Sequence, residues 1–84
     1  MNPRVIEVKH EEKYRLILKF DNNEWRVFDV APYLHLGIFQ ELKSLEMFNS
    51  VKIENGTVLW PNEADFCPDT LFLESTLLDK NETN

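Results

Sequence analysis

Little in this chain offers the usual handles for chemistry: among its 84 residues there are one cysteine, two histidines and two glycines. A single thiol, Cys67, cannot close an internal disulfide. With only His10 and His35 beside it, it does not make a zinc-ligand pattern. Gly37 and Gly56 are too few and too scattered for a phosphate-cradling loop, and each has a turn role instead. Basic residues are scarce, nine against fifteen acidic ones, for a net charge of −6. That balance excludes the basic stripe by which nucleic-acid binders are recognised, so no direct nucleic-acid contact is expected. No apolar run approaches the roughly 18 residues that span a bilayer, and Met1-Asn2-Pro3-Arg4-Val5 has no apolar signal core. A cytoplasmic location away from membranes is the resulting expectation.

Apolar residues, by contrast, are plentiful at 43%, with aromatics at 12%. That suffices for one folded domain and excludes a disordered chain. A domain this small buries only about 60% of its unfolded surface, so self-association would be a natural reinforcement. Residues Arg4 to Lys9 alternate as a short strand. Tyr14, Leu16, Leu18 and Phe20 then recur at period two, Asp21-Asn22-Asn23 forms a tight turn, and Glu24 to Val30 alternates again. These predict a three-stranded antiparallel meander. Beyond it the period lengthens: Pro32 suits a first helical position with Asp29 as upstream cap, and Ile38, Phe39, Leu42 and Leu45 fall at helical spacing. Asn55-Gly56 between Val51–Glu54 and Thr57–Trp60 is the favoured pair for a two-residue hairpin. The chain reads β-β-β-α-β-β, an α+β fold with one amphipathic helix packed on a small antiparallel sheet. The domain is expected to span 3–74, with 75–84 a polar, disordered tail.

Between the hairpin and the end lies Trp60-Pro61-Asn62-Glu63-Ala64-Asp65-Phe66-Cys67-Pro68-Asp69-Thr70-Leu71, whose prolines and turn-formers predict an ordered, irregular connection. Trp60 is expected in the core under the helix, with Phe39 and Leu42, and Pro61 is expected to end the strand. Glu63, Asp65 and Asp69 are the one carboxylate cluster that could hold a cation or do acid–base work. Their spacing lacks the pattern of a calcium loop, and Asp65 and Asp69 are expected to cap turns. Cys67 is expected to be a small buried hydrophobe, and both histidines surface residues. Pro68-Asp69-Thr70-Leu71 is expected to form a single helical turn, and Leu71-Phe72-Leu73 after it a short terminal edge strand. Three apolar residues in a row exceed what one side of a strand buries, so Phe72 and Leu73 are the candidate interaction surface. No catalytic, cofactor or metal residues emerge, and an enzyme is not expected.

The order of these features resembles a bacterial domain-of-unknown-function family, number 2442. Its carriers here are Pro3-Arg4-Val5, Tyr14-x-Leu16-x-Leu18-x-Phe20 with Asp21-Asn22-Asn23-Glu24, Phe28-Asp29-Val30, Phe39-x-x-Leu42, and Phe48. The most specific stretch is Trp60-Pro61-Asn62-Glu63-x-Asp65-Phe66-x-Pro68-Asp69-x-Leu71, and the resemblance covers Pro3 to Leu73. It implies a small α+β domain. It also implies a regulatory role, because longer members append a helix-turn-helix segment and family genes often neighbour another small protein. This chain ends before such a segment, so direct DNA reading is not expected of it. The family assigns no catalytic residues, and none are carried over. The expectation is a non-catalytic protein-interaction module, the acidic antitoxin-like or regulatory partner of a small basic neighbour, or a homodimer. The alternative is a small-molecule-sensing domain with the Trp60–Leu71 segment as the lip of its pocket.

Overall fold

A computed structural model describes residues 2–78 of the chain. Four strands form the main antiparallel sheet in the order β1-β2-β3-β6: β1 Val5–Glu11, β2 Arg15–Phe20, β3 Trp25–Asp29 and β6 Thr76–Leu77. A separate hairpin pairs β4, Lys52–Glu54, with β5, Thr57–Leu59. Between β3 and β4 run 3-10 turns at Ala31–Tyr33 and Gly37–Lys43, then a four-residue helix α1, Leu45–Phe48. A second helix α2, Pro68–Glu74, precedes β6. The fold is α+β, as the patterning requires. No helix among the described residues is long and apolar enough to cross a membrane.

The meander follows from the period-two residues. Leu16, Leu18, Phe20 and Phe28 face inward and are buried, with Trp25 and Val27 half-buried on the opposite side. Against that inner face, the hairpin, the 3-10 segment, both helices and the loop between β5 and α2 deliver Leu42, Phe48, Val58, Trp60, Phe66 and Leu71 to one core. Phe66 is its aromatic hub: its ring lies 4.9 Å from Phe28, 5.0 Å from Tyr33, 4.7 Å from Phe39 and 6.0 Å from Trp60. Edge-to-face and offset geometries of this kind add to the burial of the rings themselves. In the hairpin, Asn55 and Gly56 both take positive φ, 55° and 79°, as a type I′ turn demands. Gly56 has a second constraint, since a Cβ there would stand 2.9 Å from the Arg4 Cβ. The turn therefore seats directly on the start of β1, where the Gly56 carbonyl accepts the Val5 N–H at 2.9 Å.

Three expectations are corrected. The amphipathic α-helix from Ile38 is instead a 3-10 segment followed by a restart. Leu42 is buried and Phe39 half-buried, but Ile38 and Leu45 are 44% and 59% exposed. Leu71, Phe72 and Leu73 are not an edge strand; they lie within α2, begun by Pro68 at its first position. Nor does order stop at residue 74. Ser75 is buried, and Thr76–Leu77 pairs with β3. The remainder of the proposed tail, 79–84, lies outside the described residues.

Candidate functional site

The Trp60–Leu71 segment is built from a loop geometry that the molecule uses twice. Trp60 N–H donates to the Ala64 carbonyl and Glu63 N–H to the Trp60 carbonyl, both at 2.9 Å, with Glu63 at φ 73°. The turn ending β2 repeats every part. Phe20 N–H donates to Glu24, Asn23 N–H to Phe20, both at 2.9 Å, and Asn23 sits at φ 70°. In each, an asparagine in the middle of the loop accepts a backbone N–H two residues on: Asn62 from Ala64 at 3.1 Å, Asn22 from Glu24 at 3.0 Å. Three-residue hairpin loops closed by a left-handed residue take this form, and Asn favours it by bonding its own backbone. The shared signal, a triplet with central Asn after a core aromatic, is present in both stretches, Phe20-Asp21-Asn22-Asn23 and Trp60-Pro61-Asn62-Glu63.

The loop holds Trp60 and Phe66 in place. Trp60 is 1% exposed, stacks on Phe48 with centroids 6.2 Å apart, and donates its indole N–H to the Phe48 carbonyl at 2.9 Å. Its ring neighbours are thus Phe48 and Phe66, and Phe39 stacks on Phe66. Pro61 stands just past β5, in the turn. The Asn62 amide also donates to Glu41 Oε1 at 2.8 Å and to the Ile38 carbonyl at 3.4 Å, tying the loop to the 3-10 segment.

The flanking carboxylates do not share this work. Among the described residues neither the Asp65 nor the Asp69 side chain accepts a hydrogen bond, so their expected role as turn caps is corrected in favour of Asn62. Asp65 makes a backbone bridge to Leu59 and leaves its side chain exposed. Asp69 lies in the first turn of α2, a position where the helix dipole favours an acid. Cys67 is exposed rather than buried: the residue before Pro68 is held extended, and its side chain projects outward. A hollow of ≈ 500 Å³ opens here, lined by Arg4, Glu54, Thr57, Asp65, Cys67 and Pro68 among others. Glu63 and Asp69 do not line it, so the three carboxylates do not converge. No three His, Cys, Asp or Glu side chains among the described residues are placed to hold a metal ion, and His10 and His35 are exposed.

Phe72 is not a free surface residue. Its ring meets Phe20 edge-on at 5.2 Å and lies 4.5 Å under the Arg26 guanidinium. Arg26 is itself fixed by Ser75 Oγ at 2.7 Å, the Ser75 carbonyl at 3.0 Å and Glu24 at 2.9 Å. Leu73, on the other side of α2, is 65% exposed, and Leu77 is 62% exposed.

Charge divides between the two layers. Residues 1–40, which supply β1 to β3, carry six acidic and six basic side chains. All three ion pairs among the described residues lie there, Arg15–Glu11, Lys19–Glu7 and Arg26–Glu24. Residues 41–78 carry seven acidic side chains against Lys43 and Lys52. The seven, Glu41, Glu46, Glu54, Glu63, Asp65, Asp69 and Glu74, are all exposed. The part of the chain covering the sheet is therefore rich in exposed carboxylates, with Lys43 and Lys52 on the same stretch and Arg4 beside Glu54 and Asp65 at the hollow.

No curated protein and no solved structure matches the chain. A family model described as a protein of unknown function, DUF2442, matches residues 5–76. That span takes in the meander, both asparagine-centred loops and the Trp60–Leu71 segment, and the chain belongs to this family.

Proposed function

We propose that the protein is a non-catalytic interaction module, the acidic regulatory or antitoxin-like partner of a small basic protein. The observation that carries this reading is the acidic covering layer, whose seven carboxylates are exposed and free of ion pairs among the described residues. Burying a sheet needs apolar residues on one side of that layer and is indifferent to sign on the other. A surface of one sign steers a partner of opposite sign and selects against others. Exposed Leu73 and Leu45 on the same layer supply apolar contact beside the charge. The test is capture of the binding partner by the tagged protein from its host, followed by reassembly of the pair from purified components. A stoichiometric small basic protein is expected, bound less tightly as salt rises and lost from a Glu63→Lys/Asp65→Lys variant. Recovery of no such protein, or binding indifferent to salt and to charge reversal, would sink the proposal.

A second reading, a small-molecule-sensing domain, is favoured by the ≈ 500 Å³ hollow beside Asp65–Pro68, where Arg4, Thr57 and Asp65 supply polar groups. It lies within the size range of small-ligand pockets. A metabolite panel that raises the melting temperature of the wild type, but not of an Arg4→Ala variant, would select this reading over the first.

A further inference from the structure

The longest strand of the molecule is also an open edge. β1 pairs with β2 on one side only, and β2 shows which of its backbone groups are spare. Phe20 bonds to Glu24 and the Tyr14 carbonyl accepts from Val30, so those residues and the alternate ones between them, Leu16 and Leu18, face β3. Arg15, Ile17 and Lys19 then face β1, opposite Glu11, Lys9 and Glu7. By the same alternation Val8 and His10 point their N–H and C=O groups away from the sheet. Among the described residues nothing hydrogen-bonds to them; the β4–β5 hairpin packs against β1 but bonds its backbone only at Val5, before the irregularity at Ile6. An unpaired edge of this kind is a template for another strand.

We infer that this edge pairs with the same edge of a second copy, antiparallel and centred on Val8. The side chains choose both occupant and register. With Val8 opposite Val8, each copy exchanges two backbone bonds there, and Glu7 of each stands directly opposite Lys9 of the other. Opposite charges facing across strands stabilise, and like charges repel. A register centred on Glu7 faces Glu7 with itself. One centred on Lys9 faces Lys9 with itself and Glu7 with Glu11. A register centred on His10 pairs Lys9 with Glu11 but runs out of strand, because the chain leaves β1 at Glu11 and Lys13 turns to φ 65°. Only this twofold arrangement therefore both matches the charges that would block a stray strand and keeps the strand paired along its length. On the inner side it apposes two half-buried Val8 side chains and completes their cover. The far edge, β6, is two residues long, so the pairing closes as a dimer instead of propagating. This surface is separate from the acidic layer, and the inference stands apart from the proposed function.

Sedimentation equilibrium of the full chain from micromolar to millimolar concentration reads it. The wild type is expected to shift towards twice the monomer mass. Glu7→Lys and Lys9→Glu should each weaken the dimer about tenfold, since each creates two like-charged facing pairs. The double variant Glu7→Lys/Lys9→Glu should restore it. Restoration reads the contact between copies, because the Glu7–Lys19 pair within one copy stays broken in the double variant. Val8→Pro removes an outward N–H that β2 does not use and should give a folded monomer, with its circular dichroism kept. A wild type that stays monomeric at millimolar concentration, or a dimer insensitive to both single reversals, would overturn the inference.

Discussion

Asn62 makes three hydrogen bonds through one short side chain, one accepted from Ala64 and two donated towards Glu41 and Ile38. Asp65, three residues on and acidic, makes none among the described residues. The physical reason is position and chemistry: the middle of the loop brings a side-chain oxygen within reach of the N–H two residues later, and an amide, unlike a carboxylate, can donate as well as accept. Asn62→Ala should therefore cost about 1–2 kcal/mol of unfolding free energy, as loss of a comparable capping side chain does. Asp65→Asn should stay within about 0.5 kcal/mol, as exposed substitutions away from such contacts do. Urea titrations of both variants check the contrast, and equal losses would contradict the assignment of the cap to Asn62. Cys67 teaches a related lesson. A cysteine between Phe66 and Pro68 looks apolar by its company, yet alternation on either side of the buried Phe66 turns it outward.

The strands were legible because a period of two leaves no choice of face: Leu16, Leu18 and Phe20 had to share a side, and they are buried together. The hairpin was legible for a similar reason, since Asn55-Gly56 fixes both turn type and the observed register of Ile53 opposite Val58. Helical segments were less so. Ile38, Phe39, Leu42 and Leu45 fit a 3.6-residue period, but in the 3-10 segment the turn is three residues, so Phe39 and Leu42 share a side and Ile38 falls off it; Ser44, extended at ψ 121°, then ends the segment and leaves Leu45 to open α1. Leu71-Phe72-Leu73 suits a buried strand as well as a helix, and length alone does not separate them. Around a helix three successive residues are about 100° apart, so one of them must face solvent, and here it is Leu73. The end of the domain was hidden because β6 is only two residues long and polar at its start. Its weight is in Ser75, whose hydroxyl and carbonyl hold the Arg26 guanidinium over Phe72. A chain ending at Glu74 loses β6 and strips the part-buried Arg26 of both contacts. It should be less stable by about 1–3 kcal/mol or more, the range for leaving a buried polar group unsatisfied. A truncation at 74 with the full chain's melting temperature would show that the sheet ends at β3.

At the scale of the whole molecule, the two layers differ in what their charges do. In the sheet layer Glu7, Glu11 and Glu24 are matched by Lys19, Arg15 and Arg26, and Lys9 and Lys19 also lie over the Trp25 ring at 5.4 and 5.7 Å. The covering layer holds no ion pair among the described residues, and the molecule measures only 30 × 30 × 18 Å, so its carboxylates repel one another across a small surface. Such repulsion opposes the compact state and is screened over about 10 Å at 0.1 M salt. If Glu54, Glu63 and Asp65 served local structure, neutralising them would destabilise the fold at any ionic strength. If they are a surface kept for a partner, the triple variant Glu54→Gln/Glu63→Gln/Asp65→Asn should melt higher than the wild type at low salt. The gain should vanish as salt screens the wild type's own repulsion, while partner binding should be lost throughout. Melting curves across a salt series separate the two. A triple variant that melts lower than the wild type at every salt concentration would assign the carboxylates to holding the loop and remove the main support for an acidic docking layer.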